Sequence, residues 1–454
     1  MGGLSRRATV VERVQAETAT VIVDAGDLLW KSPTLSEDRL AQQRIKAGLQ
    51  LDSYALSGVD GMVPGEGDLA LGLGWLSAAA SERSLPYVAA NLKCSGWPLP
   101  THRIVERGGL RVAIVGVVGM GEAGPCTATS TVPAVKAAVA ESADADVHIL
   151  LSYQAEHQDA SIVRSVPEID VVVNGHARKL LPVPNLLEGK AIQLAAGTRG
   201  KKLGIADLTF AKGAEGFAIL GLTDKLDDRL QKAIERRERT ELRVEKARTD
   251  ETRLRAQQVV ERIDRQIADI RAQIETANAA QTGGGHTVRN RFKGLTDDVA
   301  DHPATQRLVE AAKQRIETVS SAVPPKKTEA LRPFVGDRMC QACHSEQHAQ
   351  WKSTPHAYAW STLVRVKRSQ DLDCFACHVT GAHHKDGPQT PAEASGLENV
   401  GCESCHGPGG GHVRSPSKAN IVLNPPESVC VECHDGEKDE GRFDLEAYLP
   451  KVQH

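Results

Sequence analysis

The sequence predicts a chain of three parts: an α/β/α layered domain, a long charged helix of coiled-coil character, and a small domain that is mainly α and irregular. Three observations predict this. Residues 1–222 alternate short β-branched runs with helical segments, residues 225–280 are dense in charge and lack Pro and Gly, and the last quarter carries four copies of one cysteine-rich pentapeptide. The boundaries fall at 1–222 for the layered domain, 223–320 for a helical spacer, 321–333 for a linker and 334–454 for the small domain.

Within the first part, TATVIVDAGD, PYVAANL, LRVAIVGVVG, DVHILLSY, IDVVVNGH and AIQLAAG read as strands, each closing on Gly, Asn or a polar residue. Apolar runs of this length between helical segments are what a sheet covered on both faces requires. In the spacer, Ala256, Val260, Ile263, Ile267, Ile270 and Ile274 recur at alternating steps of four and three, the spacing of a coiled-coil seam. The seam predicts one long helix, broken at Thr282–His286, that packs on a second helix over 303–319 or serves as an oligomerisation face. SSAVPPKKTEALRP, over 320–333, is a linker by its Pro and Lys content.

The chain has 454 residues, 41% of them hydrophobic, with a formal net charge of −3. That is the make-up of an ordinary soluble protein, and the charge is too small to favour a nucleic-acid partner. No stretch is long and apolar enough for a transmembrane segment, and Met1 is followed by GGLSRRATVVERV, which has no signal-peptide core.

The pentapeptides are CQACH at Cys340–His344, CFACH at Cys374–His378, CESCH at Cys402–His406 and CVECH at Cys430–His434. In Cys-x-x-Cys-His two cysteines form thioethers to a porphyrin and the His becomes the proximal iron ligand, so the pattern reads as c-type haem attachment. Structural zinc also uses CxxC pairs, but zinc gives no reason for a His after every second Cys. The small domain therefore reads as a tetrahaem cytochrome with four covalent haem c groups. Cys340, Cys343, Cys374, Cys377, Cys402, Cys405, Cys430 and Cys433 are the attachment points, and His344, His378, His406 and His434 the proximal ligands. Tethered cofactors would also supply apolar volume that so short a segment lacks.

The sixth iron position decides between electron transfer and substrate binding. Met339 is the domain's only Met and adjoins an attachment Cys, which excludes Met ligation in practice. The spare histidines are His348, His356, His383, His384, His412 and His454. His356 and His412 are the preferred distal ligands, His383 and His384 together would supply one, and His348, four residues after His344, is the weakest candidate. Three good candidates for four irons leave room for one five-coordinate haem.

CQACHSEQHAQWKSTPHAYAWSTL, CFACHVTG, NVGCESCHGPGGGH and CVECH are similar to the cytochrome c-554/c-prime family of multihaem cytochromes. The resemblance implies haems in close pairs, mostly bis-His, with His356 and His412 as distal ligands, one high-spin centre being allowed. It also implies electron transfer in periplasmic nitrogen or sulfur metabolism. Haem c attachment then requires export, so a signal peptide is expected upstream of a start placed too far downstream.

The first part resembles the 5′-nucleotidase branch of metallophosphoesterases, which also contains thiosulfohydrolases. GGLSRRATVV, VDAGDLLW, GVDGMVPGEGDLALG, LPYVAANL, LLSYQAEHQD, IDVVVNGHARKL and AAGTRGKKLG follow that branch's landmarks in order. Its chemistry needs two metals held by Asp, His and Asn. On this resemblance the bridging Asp is Asp27 and the first His of the closing motif is His176. Elsewhere the ligands are missing: Glu66 and Gly67 stand for Asn and His, Tyr153 for a His, and Arg178 for the second closing His. An upstream Asp-x-His would precede the present start. No dimetal centre is expected. Cys94 and Cys126, each placed after a strand, are candidates for a disulfide or a redox-active dithiol.

The combined reading is an exported electron carrier on a degenerate phosphoesterase scaffold, served by a redox partner protein or a quinol-linked donor or acceptor. A redox enzyme acting on a small nitrogen or sulfur compound, and a hydrolase with a fused electron carrier, are the alternatives.

Overall fold

The computed structural model describes residues 3–30, 34–119, 122–123, 126–177, 179–198, 200–245, 247, 249–282, 285–322, 333–435 and 443–454. Arg178 and most of the expected linker lie outside the described residues. The chain divides into two compact units, one made of Met1–Leu35 and Gln50–Gln306, the other of Ser36–Leu49 and Arg307–His454. This division by packing differs from a serial one: residues 36–49 join the haem-motif unit, and the charged spacer stays with the layered unit through residue 306.

The first unit is built on a six-stranded sheet. Its order is Asn185–Leu187, Ala191–Leu194, Val171–Asn174, Val147–Tyr153, Leu110–Val118 and His102–Arg107. The inner four strands are parallel and the outer two antiparallel. Side chains alternate faces along a strand, so the two central runs feed two cores. Val115, Val117, Leu150 and Val172 pack with Val135, Val139, Ile162 and Val163 of helices Thr131–Glu141 and Glu156–Ser165. Their neighbours Ile114, Val118, Leu151 and Val171 face a second core with Val63, Val88 and Tyr153. A sheet buried on both faces explains the unbroken apolar runs. By contrast, TATVIVDAGD keeps only Val23–Asp24 as strand, paired in parallel with Gly61–Met62. PYVAANL is mostly irregular, strand beginning at Leu92–Cys94.

The charged spacer is not one helix. It folds as two, Leu222–Glu245 and Asp250–Thr282, inserted between the parallel strands Phe217–Ile219 and His286–Gly294. The Ile stripe is present, but Leu226, Leu230, Ala233 and Ile234 of the preceding helix close over Ile263, Ile267, Ile270 and Ile274. The expected partner, helix Pro303–Ser321, is not part of that cluster. Parallel strands cannot be joined by a tight turn, so an inserted helical crossover satisfies the topology.

The second unit carries short helices and no strand longer than an isolated bridge among its described residues. One apolar cluster beside the pentapeptides is formed by Phe334, Leu372, Phe375, Val379, Ala394 and Leu397, with Trp360 and Ala382 against it, while Ile45, Leu49, Val309 and Ile316 are buried elsewhere in the unit.

Ile270 is 1% exposed at the centre of the helical pair. Ile270→Ala should lower stability by about 2–5 kcal/mol, because deleting buried methyl groups leaves a cavity. Chemical denaturation followed by circular dichroism measures this, and a loss below about 0.5 kcal/mol would contradict the assigned packing.

Candidate functional sites

The residues matched to the phosphoesterase landmarks lie where strands of the first unit end. Asp27, in the AGD turn, holds a left-handed backbone at φ 54°. Its two carboxylate oxygens are both engaged: Oδ1 accepts from the Gly67 amide at 2.9 Å and Oδ2 from the Tyr153 hydroxyl at 2.7 Å. Burial pushes the Tyr153 phenol up, and its hydrogen bond to Asp27 adds to the shift. The Tyr153 ring meets His176 edge-on at 5.1 Å. Gly67 packs so closely that an added Cβ would lie 1.9 Å from the Trp30 carbonyl oxygen, and Glu66 is exposed. Thus the structure brings Asp27, Tyr153 and His176 together and leaves Glu66 at the surface.

Two further carboxylates there escaped sequence reading. Asp68 is fully buried and accepts from the Leu29 and Gly65 amides at 2.8 and 2.9 Å, tying together the two loops that carry Asp27 and Gly67. Burial pushes it up to about 7. Asp24 is raised by burial too, and accepts from the Tyr54 hydroxyl at 2.9 Å. Nearby, Cys94 and Cys126 sit opposite one another on paired antiparallel strands and form a disulfide, with Cα atoms 4.1 Å apart and Cys126 fully buried.

In the second unit the four pentapeptides lie on or beside short helices: Asp337–Gln341, Leu372–His378, Cys402–His406 and Glu427–Val431. They approach in pairs. The Cys340 thiol hydrogen-bonds Cys402, which raises the first and lowers the second, linking the first and third motifs. His383 Nε2 lies 3.9 Å from Cys377 and 3.7 Å from Cys433, linking the second and fourth. Burial pushes the Cys374 and Cys405 thiols up to about 11.

Three of the four motif histidines lie opposite another imidazole. His344 and His412 stack at 6.3 Å between ring centroids and 26° between planes. His434 and His356 are 6.1 Å apart, and His406 and His454 5.7 Å apart. Two imidazoles bound to one metal from opposite sides, each through a nitrogen about 2 Å away, have centroids about 6 Å apart. Backbone carbonyls accept from Nδ1 of His378 (Ala359, 2.7 Å), His406 (Val422, 2.6 Å) and His412 (Ser417, 3.1 Å). A proton fixed on Nδ1 leaves the Nε2 lone pair for a metal.

The remaining histidines are placed otherwise. His348 is buried and its Nε2 pairs with Asp337 at 3.1 Å. His384 lies edge-on to Phe334, while the Asp386 amide donates to its Nδ1. Among the described residues no second imidazole faces His378. His454, which stands alone at the chain end, carried no pattern by which sequence reading could have favoured it.

Two observations test whether haem groups fit. Met339, Tyr358, Val364, Val366, Val413, Leu423 and Val431 are each more than a third exposed around the motifs, an unusual amount of open apolar surface for so short a segment. The three imidazole pairs have the centroid separation of two rings bound to one metal from opposite sides. Both fit four planar, apolar, iron-bearing groups.

Two charged residues hold this region. Glu403, 4% exposed inside the third motif, accepts from the amides of Val335, Gly336 and Gly409, fixing the start of the loop that carries His412. Asp371 caps the helix of the second motif by accepting from the Asp373 amide. Burial alone would raise its carboxyl, but Lys46 and Arg368 outweigh this and hold it at about 2.

The chain is therefore of composite class, a phosphoesterase-like shell with a cysteine-histidine array of c-type cytochrome pattern. The comparisons with known proteins divide along the same line. Residues 339–407 match the family described as cytochrome c554 and c-prime. Over 85 residues the chain is 39% identical to cytochrome c-554 of Nitrosomonas europaea, covering 15% of this chain and 36% of that protein. Over 202 residues it is 23% identical to the uncharacterized metallophosphoesterase YunD of Bacillus subtilis, covering 42% of each. The chain thus spans less than half the length of these curated relatives. Among solved structures, the sulfate thiohydrolase SoxB of Thermus thermophilus aligns with a TM-score of 0.48 at 15% identity, covering 74% of this chain and 49% of that one.

Two outcomes follow from the charged residues. Glu403→Ala orphans two buried amides and one half-buried amide and should lower stability by at least about 2 kcal/mol in thermal denaturation of the haem-loaded chain. The Asp371 carboxyl lies at about 2 against an ordinary 3.8, so its contribution is complete above 3.8 and is lost as pH falls toward 2. Asp371→Asn should flatten the loss of stability over that window, measured as denaturation midpoint against pH.

Proposed function

We propose that this chain is an exported tetrahaem c-type cytochrome that transfers single electrons, carried on a phosphoesterase fold that has lost its hydrolytic metal pair. The observation that carries the reading is the facing of three proximal histidines with His412, His356 and His454 at the separation a shared iron requires. A haem iron held by two imidazoles has no open position, and what remains to it is outer-sphere electron transfer. When bound, the haems supply the redox change. The chain's own residues attach them, orient the imidazoles through carbonyl bonds to Nδ1, and bring motif one to three and two to four so that electrons have short steps.

Hydrolysis is disfavoured by what surrounds Asp27. Its second oxygen accepts from the Tyr153 phenol, where the metallophosphoesterase resemblance would place a metal, and Gly67 supplies no ligand and has no room for one. Tyr153 and Gly67 thus fill the space and leave the scaffold intact. The buried Cys94–Cys126 bridge is read as a structural staple, and its presence suits an oxidising compartment. No helix among the described residues is long and apolar enough to cross a membrane, which leaves a diffusible or tethered carrier docking to a redox partner protein. The Ile stripe, buried within the helical pair, offers no ready face for self-association.

A second reading is favoured by His378. With no imidazole facing it among the described residues, the second haem would be five-coordinate and open to a small nitrogen or sulfur ligand.

Haem-loaded protein should contain four haems per chain by pyridine haemochrome assay. Its paramagnetic resonance spectrum should have three low-spin signals and one high-spin signal, and His412→Ala should convert one low-spin signal to high-spin. Fewer than four haems would overturn the count, and an unchanged spectrum in His412→Ala would overturn the pairing. Equilibrium dialysis against manganese should retain no pair of ions per chain.

A further inference from the structure

The haem-motif unit includes residues 36–49, far from the pentapeptides in sequence, and their packing is specific. Gln42, 4% exposed, brackets the approach to the second motif. Its Nε2 donates to the Gln370 carbonyl at 2.7 Å and to the Ser320 hydroxyl at 2.6 Å, and its Oε1 accepts from the Leu372 amide at 3.0 Å. One turn on, the Lys46 ammonium sits between Asp371 and Asp373, bonding both, the latter at 2.5 Å. Arg368 donates to Asp371 at 2.6 Å from its other side, and Arg39 lies 3.8 Å from Asp373.

Asp371 is three residues before Cys374 and caps the helix that bears both attachment cysteines and His378. Counting these groups, Arg368 with Asp371 and Asp373 sums to −1, and Lys46 and Arg39 bring the total to +1. The Lys46 side chain is 14% exposed and that of Asp371 2%, so water and salt screen the pair weakly. These charges reach the haem attachment: Asp371, Arg368 and Lys46 all act on the Cys374 sulfur.

We propose that residues 36–49 form a potential-setting arm, in which Lys46 raises the reduction potential of the haem attached at Cys374 and Cys377. Reducing ferric to ferrous iron adds one negative charge, and a nearby fixed cation favours the reduced form. Lys46 acts as a positioning and electrostatic residue, touching neither iron nor ligand. The consequence is directional. Electrons entering the array settle preferentially at the second haem, the one whose His378 has no facing imidazole among the described residues, which is where an open centre would need them. This inference rests on the tetrahaem reading.

The test is a spectroelectrochemical titration of the full haem-loaded chain and of Lys46→Gln, Lys46→Arg and Arg39→Gln. In Lys46→Gln one of the four haems should fall in potential, its oxidised-to-reduced ratio at fixed potential rising about threefold, equal to about 28 mV at 59 mV per decade for one electron. Lys46→Arg should restore the wild-type value. Arg39→Gln, on a more exposed pair, should move the same haem less, and it keeps the proposal testable if Lys46→Gln loses haem. Four unchanged potentials, an equal shift of all four, or failure of arginine to restore the value would overturn the arm. A haem count other than four in the wild type would instead overturn the tetrahaem reading itself.

Discussion

The pairing of three motif imidazoles with a second imidazole at about 6 Å between centroids is the constraint around which the second unit is organised. With centroids 5.7 to 6.3 Å apart and planes inclined by 26 to 54°, the rings lie toward the outer end of ordinary aromatic pairing and gain little from each other directly. The surroundings are organised to impose it. Carbonyls orient His378, His406 and His412, and Phe443 stacks on His434 at 5.2 Å. Glu403 gathers three amides to set the loop before His412. On the tetrahaem reading, burial of the cofactors adds to the small cluster around Phe375 in stabilising the short helices that carry the motifs.

The first unit follows the opposite logic. Its two cores lie on either face of a mixed sheet, and the carboxylates around Asp27 are held by hydrogen-bond donors of the chain itself. In a dimetal site, clustered carboxylates repel one another unless cations lie between them. Here Asp24, Asp27 and Asp68 are each answered by hydroxyl or amide donors, with Tyr54 and Tyr153 as the two phenols. Donors of this kind hold the loops in place with no cation between the carboxylates. The fold survives because its stability comes from the sheet and not from the site.

What was legible in the sequence follows from how local each signal is. LRVAIVGVVG and DVHILLSY were readable because double burial writes itself as an unbroken apolar run. The four pentapeptides were readable because covalent chemistry fixes their spacing. His412 and His356 stood within segments whose resemblance pointed to them. His454 did not, because a terminal histidine has no pattern around it. The break between Glu245 and Asp250 was invisible for a related reason: KARTD contains no Gly or Pro, and only the packing of Leu226 and Leu230 on the Ile stripe of the next helix reveals two helices. The arm over 36–49 was illegible altogether, since Gln42 and Lys46 look like ordinary polar positions until the chain brings Leu372 and Asp371 beside them.

The most direct measurement is anomalous diffraction at the iron edge from crystals of the haem-loaded chain. The account predicts four iron peaks, three of them midway between His344 and His412, His434 and His356, and His406 and His454, and the fourth beside His378. Peaks away from those imidazole pairs, or zinc-edge signal at the cysteine pairs in place of iron, would contradict it.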